Sequence, residues 1–200
     1  MNTVEQYLLG LKNAYFNNGG NETWEHFEKI KHGATKEDIE KLKNVYPDIP
    51  DVLISLLEYV DGTYWREYAG EEVTLYFLGS DVEEYPYYLL SSKNIIENQN
   101  QAVEYFSDYI ERKYDDVKID EKITDKADKL KWLHFSDCMN NGGTSTLFID
   151  FSPSEKGKKG QVVRYLHDPD ELSVIADSFE DYLKKLIYNE YDFINEDILD

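Results

Sequence analysis

The amino-acid sequence predicts an α+β fold: one domain with a mixed or antiparallel sheet flanked by helices. Three observations carry this expectation. Apolar residues recur at helical spacing from Val4 to Val60. Beyond Gly70 the period shifts to short β-branched and aromatic runs. Three successive strand-like runs near the end then precede one more helical pattern. Helices and strands are segregated rather than strictly alternating, which disfavours a doubly wound nucleotide-binding fold.

Each element has a local reason. Val4, Tyr7, Leu8, Leu11, Ala14 and Tyr15 lie on one helical face, and the stretch NNGGN (17–21) stops it. Thr23 is placed to cap a short second helix carrying Trp24, Phe27 and Ile30, closed by Gly33. Thr35 and Asp38 fit a capping pair, in which hydroxyl and carboxylate satisfy orphan amides, and Ile39, Leu42 and Val45 or Tyr46 follow until Pro47. Pro50 opens a helix with Val52, Leu53, Leu56, Leu57 and Val60 as a wide apolar stripe, broken by Asp61-Gly62. The runs 73–78 and 87–90 read as strands, Pro86 confining the second to an edge or to a strand's first position. One long helix is expected from Ser92 through Ile110. Residues 113–131 are highly charged and weakly periodic and read as an insertion. Strands are expected at 132–135, 146–151 and 161–167, and Ser178 with Asp181 caps a closing helix faced by Phe179, Tyr182, Leu183, Leu186 and Ile187. An acidic tail is expected at 189–200.

Charge limits the partners. Asp and Glu number 41 against 21 Lys and Arg, a formal net of −20, so phosphate backbones and anionic lipid surfaces repel the chain and a basic protein is favoured. With 17 tyrosines and 14% aromatic residues, this is not the composition of a disordered acidic tail. Cys138 is the single cysteine, which excludes an internal disulfide scaffold. The N-terminus carries neither a basic leader nor an apolar signal region, and no apolar run approaches the roughly 20 residues a bilayer span needs. A soluble, cytoplasmic protein is expected.

Motifs of chemistry resolve into plainer features. Gly142-Gly143 sits between two strand-like runs, the context of a turn and not of a phosphate loop. SEKGKKGQ lacks the spacing of a P-loop and joins two strands, although its lysines form the one local basic spot. His134 and Cys138 straddle a strand end and a loop without completing a tetrahedral ligand set, so a packed histidine and a buried thiol are expected, with no metal and no cofactor. No G-x-S-x-G elbow is present. Asp150 interrupts the apolar run LFIDF, where strict alternation turns it to solvent and burial would require partners.

Two segments carry a family likeness. GATKEDIEKLKNVYPDIPDVLISLLEYVDGTYW, from Gly33 to Trp65, resembles the opening of the SUKH superfamily, which includes the fungal Smi/Knr-type cell-wall regulators. Ile49-Pro50 stands in that group's Leu-Pro place and Asp61-Gly62 in its closing turn, while Tyr46-Pro47-Asp48 departs from a glycine-rich helix exit. FIDFSPSEKGKKGQVV from Phe148 and ADSFEDYLKKLI from Ala176 match its later strand, hairpin and closing helix, so the likeness implies a domain core over about residues 24–188. The resemblance implies a Smi/Knr-like α+β domain and a non-catalytic role. Bacterial relatives act as immunity proteins against polymorphic toxins, many of them nucleases, and fungal ones regulate cell-wall synthesis.

The expected function is therefore a cytoplasmic inhibitor that docks an acidic, aromatic-rich face onto a basic toxin domain. The residues expected to bind this partner are Asp61, Tyr64 and Trp65 at the Asp-Gly turn, Asp81, Glu83, Glu84 and Tyr85 in the following loop, and Asp150. The alternative is an adaptor or regulator of an endogenous protein, and an aromatic surface would serve homodimerisation equally well.

Overall fold

The structure, a computed structural model, describes residues 1–83, 85–140 and 143–199. Four helices come first: α1 (Thr3–Asn17), α2 (Asn21–Ile30), α3 (Lys36–Val45) and α4 (Asp51–Tyr59). The capping pair expected for α3 forms, with Thr35 accepting from the Asp38 amide and Asp38 reaching back to Thr35. A small hairpin follows, β1 (Arg66–Tyr68) and β2 (Glu71–Val73), then the short strand β3 (Tyr88–Leu89). Next come α5 (Ser92–Glu97), α6 (Gln101–Ile110), β4 (Lys118–Ile119), and β5 (Trp132–Asn140) to β8 as a run of β6 (Gly143–Asp150), β7 (Gln161–Leu166) and β8 (Glu171–Ala176). Helices α7 (Phe179–Tyr188) and α8 (Glu196–Leu199) close the chain.

The main sheet has six strands in the order β3-β5-β6-β7-β8-β4, antiparallel except where β4 runs parallel to β8. It is mixed, and with the flanking helices it makes a single α+β domain, as the sequence predicts. Strand alternation sends Leu133, Phe135, Leu147, Ile149 and Val162 into a large core shared with α1 to α4 and α7. Trp132, Phe148, Val163, Tyr165 and Leu172 point the other way, into a smaller core roofed by Ala102, Phe106 and Ile110 of α6 and by Ile123 and Ala127. The charged stretch 113–131 thus supplies an edge strand and three buried side chains, Ile123, Thr124 and Ala127. The terminal segment docks too: Tyr191, Phe193 and Ile194 are buried, and the Tyr191 hydroxyl donates to the Tyr7 carbonyl at 3.0 Å.

Four expectations need correction. Thr23 lies inside α2, whose N-cap is Gly20. The run 73–78 joins no continuous ladder. Val73 ends β2, the Leu75 and Phe77 amides bond to the Thr63 and Tyr87 carbonyls, and Leu78 makes one isolated bridge with Tyr87, because the segment passes between the Asp-Gly turn and β3. The long helix breaks at 98–100, where Asn98 caps α5 and its side-chain amide meets His134 Nδ1 at 3.3 Å. Asp150 does not face solvent. It is fully buried in β6, accepting from the Ser152 amide at 2.7 Å and from Gln161 Nε2 at 2.9 Å. Burial outweighs these donors and pushes its pKa up. The expected turn at Gly142-Gly143 lies partly outside the described residues.

Candidate functional site: an aromatic face beside paired carboxylates

The turn after α4 is fastened from several sides. The Asp61 carboxylate is buried, taking the Ser92 amide on one oxygen at 2.8 Å and Arg66 Nη2 on the other at 2.9 Å. Gly62 has φ 92°, and a Cβ there would come within 2.7 Å of the Ser91 nitrogen, so glycine is required. Thr63 is tied to β3 in both directions: its amide donates to the Leu89 carbonyl at 2.8 Å and its hydroxyl accepts from the Leu89 amide at 3.0 Å. The next two side chains are thereby aimed outward from a rigid base.

Those two are Tyr64 and Trp65. Tyr64 stacks on Tyr88 with centroids 4.7 Å apart and planes at 15°, and Tyr88 stacks on Tyr76 at 4.9 Å and 21°. Offset aromatic pairs at this spacing add roughly 0.5–1.5 kcal/mol each beyond their area, so the three half-buried rings form a stiff ladder. Burial first, then the Tyr76 hydroxyl, pushes the Tyr88 phenol well above its ordinary pKa, and it stays protonated. Trp65 continues the ladder at 6.2 Å from Tyr64 and is 64% exposed. Its φ of 47° is left-handed, a conformation that costs a bulky residue on the order of 1 kcal/mol.

The hairpin that follows is acidic by register. Ala69 and Gly70, at φ 54° and 83°, make its turn and set Glu67 directly opposite Glu72, both exposed. Like charges facing across a strand pair destabilise it by a few tenths of a kcal/mol. The nearby Arg66 does not neutralise them, because it is spent on Asp61. The outcome is a projecting indole and a ring ladder on the chain that leads into two unpaired-sign carboxylates.

The other residues singled out in the sequence lie elsewhere. Asp81 forks onto Arg164, at 2.5 Å to Nε and 3.0 Å to Nη2, and Arg164 also holds Glu171 at 2.8 Å. Asp81 thus latches its loop to the sheet's centre, with Glu83 exposed and Tyr85 packed partly against the large core. Glu84 falls outside the described residues. Asp61 and Asp150 present no accessible carboxylate; the first supports Tyr64 and Trp65 from beneath, and the second is structural. Sequence reasoning missed Tyr76, Tyr88, Glu67 and Glu72. The Ala-Gly turn in REYAGEEV signals the carboxylate pair, whereas the ring ladder depends on pairing between distant segments.

Cys138 and His134 do not come together as a nucleophile and base. Cys138 packs into the large core, and burial raises its thiol to about 12. His134 lies on the opposite side of the sheet against Phe148, with Nε2 at 2.6 Å from Asp137 and Nδ1 facing Asn98. Among the described residues no three His, Cys, Asp or Glu side chains gather as a metal set, and no helix is long and apolar enough to cross a membrane.

Fold and surface together define a small α+β protein whose most distinctive surface feature is an exposed indole on a tyrosine ladder beside two facing carboxylates. More particularly, the chain matches the model of the SMI1 / KNR4 family (SUKH-1) over residues 33–185 and belongs to that family. Membership supports a toxin-immunity or Smi1/Knr4-like role in general, with a protein partner, in a family of generally non-catalytic proteins. A comparison with curated proteins finds no match.

Proposed function

We propose that the protein is a non-catalytic immunity protein that binds and neutralises a polymorphic toxin, docking through Trp65, the Tyr64–Tyr88–Tyr76 ladder and the Glu67/Glu72 pair. The observation that carries this reading is Trp65, a large ring held more than half exposed in a left-handed backbone conformation above a rigid aromatic base. Folding alone gains nothing from that arrangement, and tryptophan is the residue most enriched among interface hot spots. The carboxylate pair selects a cationic partner, and nuclease toxins have cationic surfaces because their substrate is polyanionic. A net charge of −20 steers such a partner inward, raising the on-rate in a manner that salt suppresses.

The test is protection of cells that express a toxin encoded beside this gene. Wild type is expected to restore growth and to bind the purified toxin domain more weakly as salt rises. Trp65→Gly is expected to lose about 2 kcal/mol of affinity, roughly 30-fold. Charge reversal of Glu67 and Glu72 to lysine is expected chiefly to slow association. Full protection by both variants refutes this face, and absence of any toxin binding refutes the immunity role in favour of an endogenous partner.

A further inference from the structure

We propose that a groove between the end of α6 and the β7–β8 turn is a second docking point, one that accepts an arginine side chain of a protein partner. It has a volume of about 700 Å³, and none of the described residues that line it is a lysine or arginine. Tyr109 and Tyr114 meet with centroids 5.5 Å apart and planes at 88°, giving two perpendicular aromatic walls. Asp116, Asp168 and Asp170 supply carboxylates around them. One wall is fixed: the Tyr109 and Tyr165 hydroxyls donate to separate oxygens of Asp170. Tyr114 is 48% exposed, leaving ring surface open.

A guanidinium suits this combination better than other cations. It is planar, weakly hydrated, able to lie on a tyrosine face and able to direct its N–H fork at a carboxylate. Burial alone would raise the Asp170 pKa, but the donors Tyr109 and Tyr165 hold it below the usual range, so Asp170 keeps its charge at neutral pH. This site does not rest on the toxin reading, and it is built on the smaller core, away from the ring ladder of β3.

The experiment is an NMR titration of the full chain, with ¹³C-labelled tyrosine rings, using argininamide at low salt and citrulline amide as the neutral analogue. Saturable shifts of the Tyr109 and Tyr114 signals are expected with argininamide and not with the neutral analogue. In Tyr114→Leu, which removes a ring that is 48% exposed, binding is expected to weaken about threefold, the lower range of a cation–π contact. Asp116→Asn is expected to weaken it by about twofold through lost charge attraction. No saturable shift, equal shifts with citrulline amide, or a titration that neither variant weakens overturns the proposal. Tetramethylammonium binding as tightly as argininamide overturns the assignment to arginine and makes the groove a general cation cage.

Discussion

Replacing Asp61 by alanine tests whether one buried carboxylate holds the turn that displays Trp65. The residue is 3% exposed, and its two oxygens take separate donors, the Ser92 amide and Arg66 Nη2. Orphaning the Ser92 amide, at the start of α5, costs about 2 kcal/mol on the usual scale for a buried donor losing its acceptor. The Arg66 side chain is 30% exposed, so solvent screens that pair and its loss costs about 1 kcal/mol. The combined loss of about 3 kcal/mol is a large fraction of the roughly 5–15 kcal/mol that holds a domain together. With a urea slope of about 2 kcal/mol per molar, the unfolding midpoint falls by about 1.5 M. Asp61→Asn keeps an acceptor for the amide and is expected to lose about a third as much. Urea titration followed by far-ultraviolet circular dichroism and tryptophan fluorescence reads both. A midpoint within about 0.3 M of wild type for Asp61→Ala, or equal losses for the two variants, refutes the reasoning.

Three further outcomes are expected. Gly33→Ala places a Cβ 1.8 Å from the Glu58 carbonyl oxygen, a backbone clash that cannot be relieved by a rotamer; it should cost more than about 3 kcal/mol, and a melting temperature near wild type would show that the 32–34 segment does not pack on the end of α4. Trp65→Gly relieves the left-handed strain and should leave stability unchanged or higher by about 0.5–1 kcal/mol, whereas a clear drop in the unfolding midpoint would mean that the indole serves the fold. Asp150 has a folded pKa raised by burial, so its contribution to stability is greatest below the unfolded value of about 3.9 and is lost as pH rises through the folded one. Carboxyl ¹³C titration should place its midpoint above the ordinary aspartate range, and a midpoint at or below that range contradicts the desolvation argument.

Local chemistry made much of the fold legible. Thr35 with Asp38 and Ser178 with Asp181 cap the helices they are spaced to cap. The loop SEKGKKGQ joins β6 to β7 as a hairpin connection. Elements were misread where stability comes from a remote partner. Residues 73–78 look like one strand but pair only at their ends, Val73 with β1 and Leu78 in a single bridge to Tyr87, and 171–176 look unremarkable yet pair with β7 along their length. The break between α5 and α6 is of the same kind, since Asn98 is held by a histidine 36 residues away.

By itself the sequence determined the helical opening, the run of strands at 132–166 with its closing helix, the acidic balance, the lone thiol and the turn that carries Tyr64 and Trp65. Periodicity, capping and net charge act through near neighbours or through composition, and these are written along the chain. Only the tertiary structure decided that Asp150 is interior, that Asp81 is spent on Arg164, and that Tyr76 and Tyr88 complete a ladder begun by Tyr64. Those outcomes depend on which segments lie side by side. Strand register and long-range burial fix that arrangement, and the free energy that selects them is shared among residues far apart in sequence.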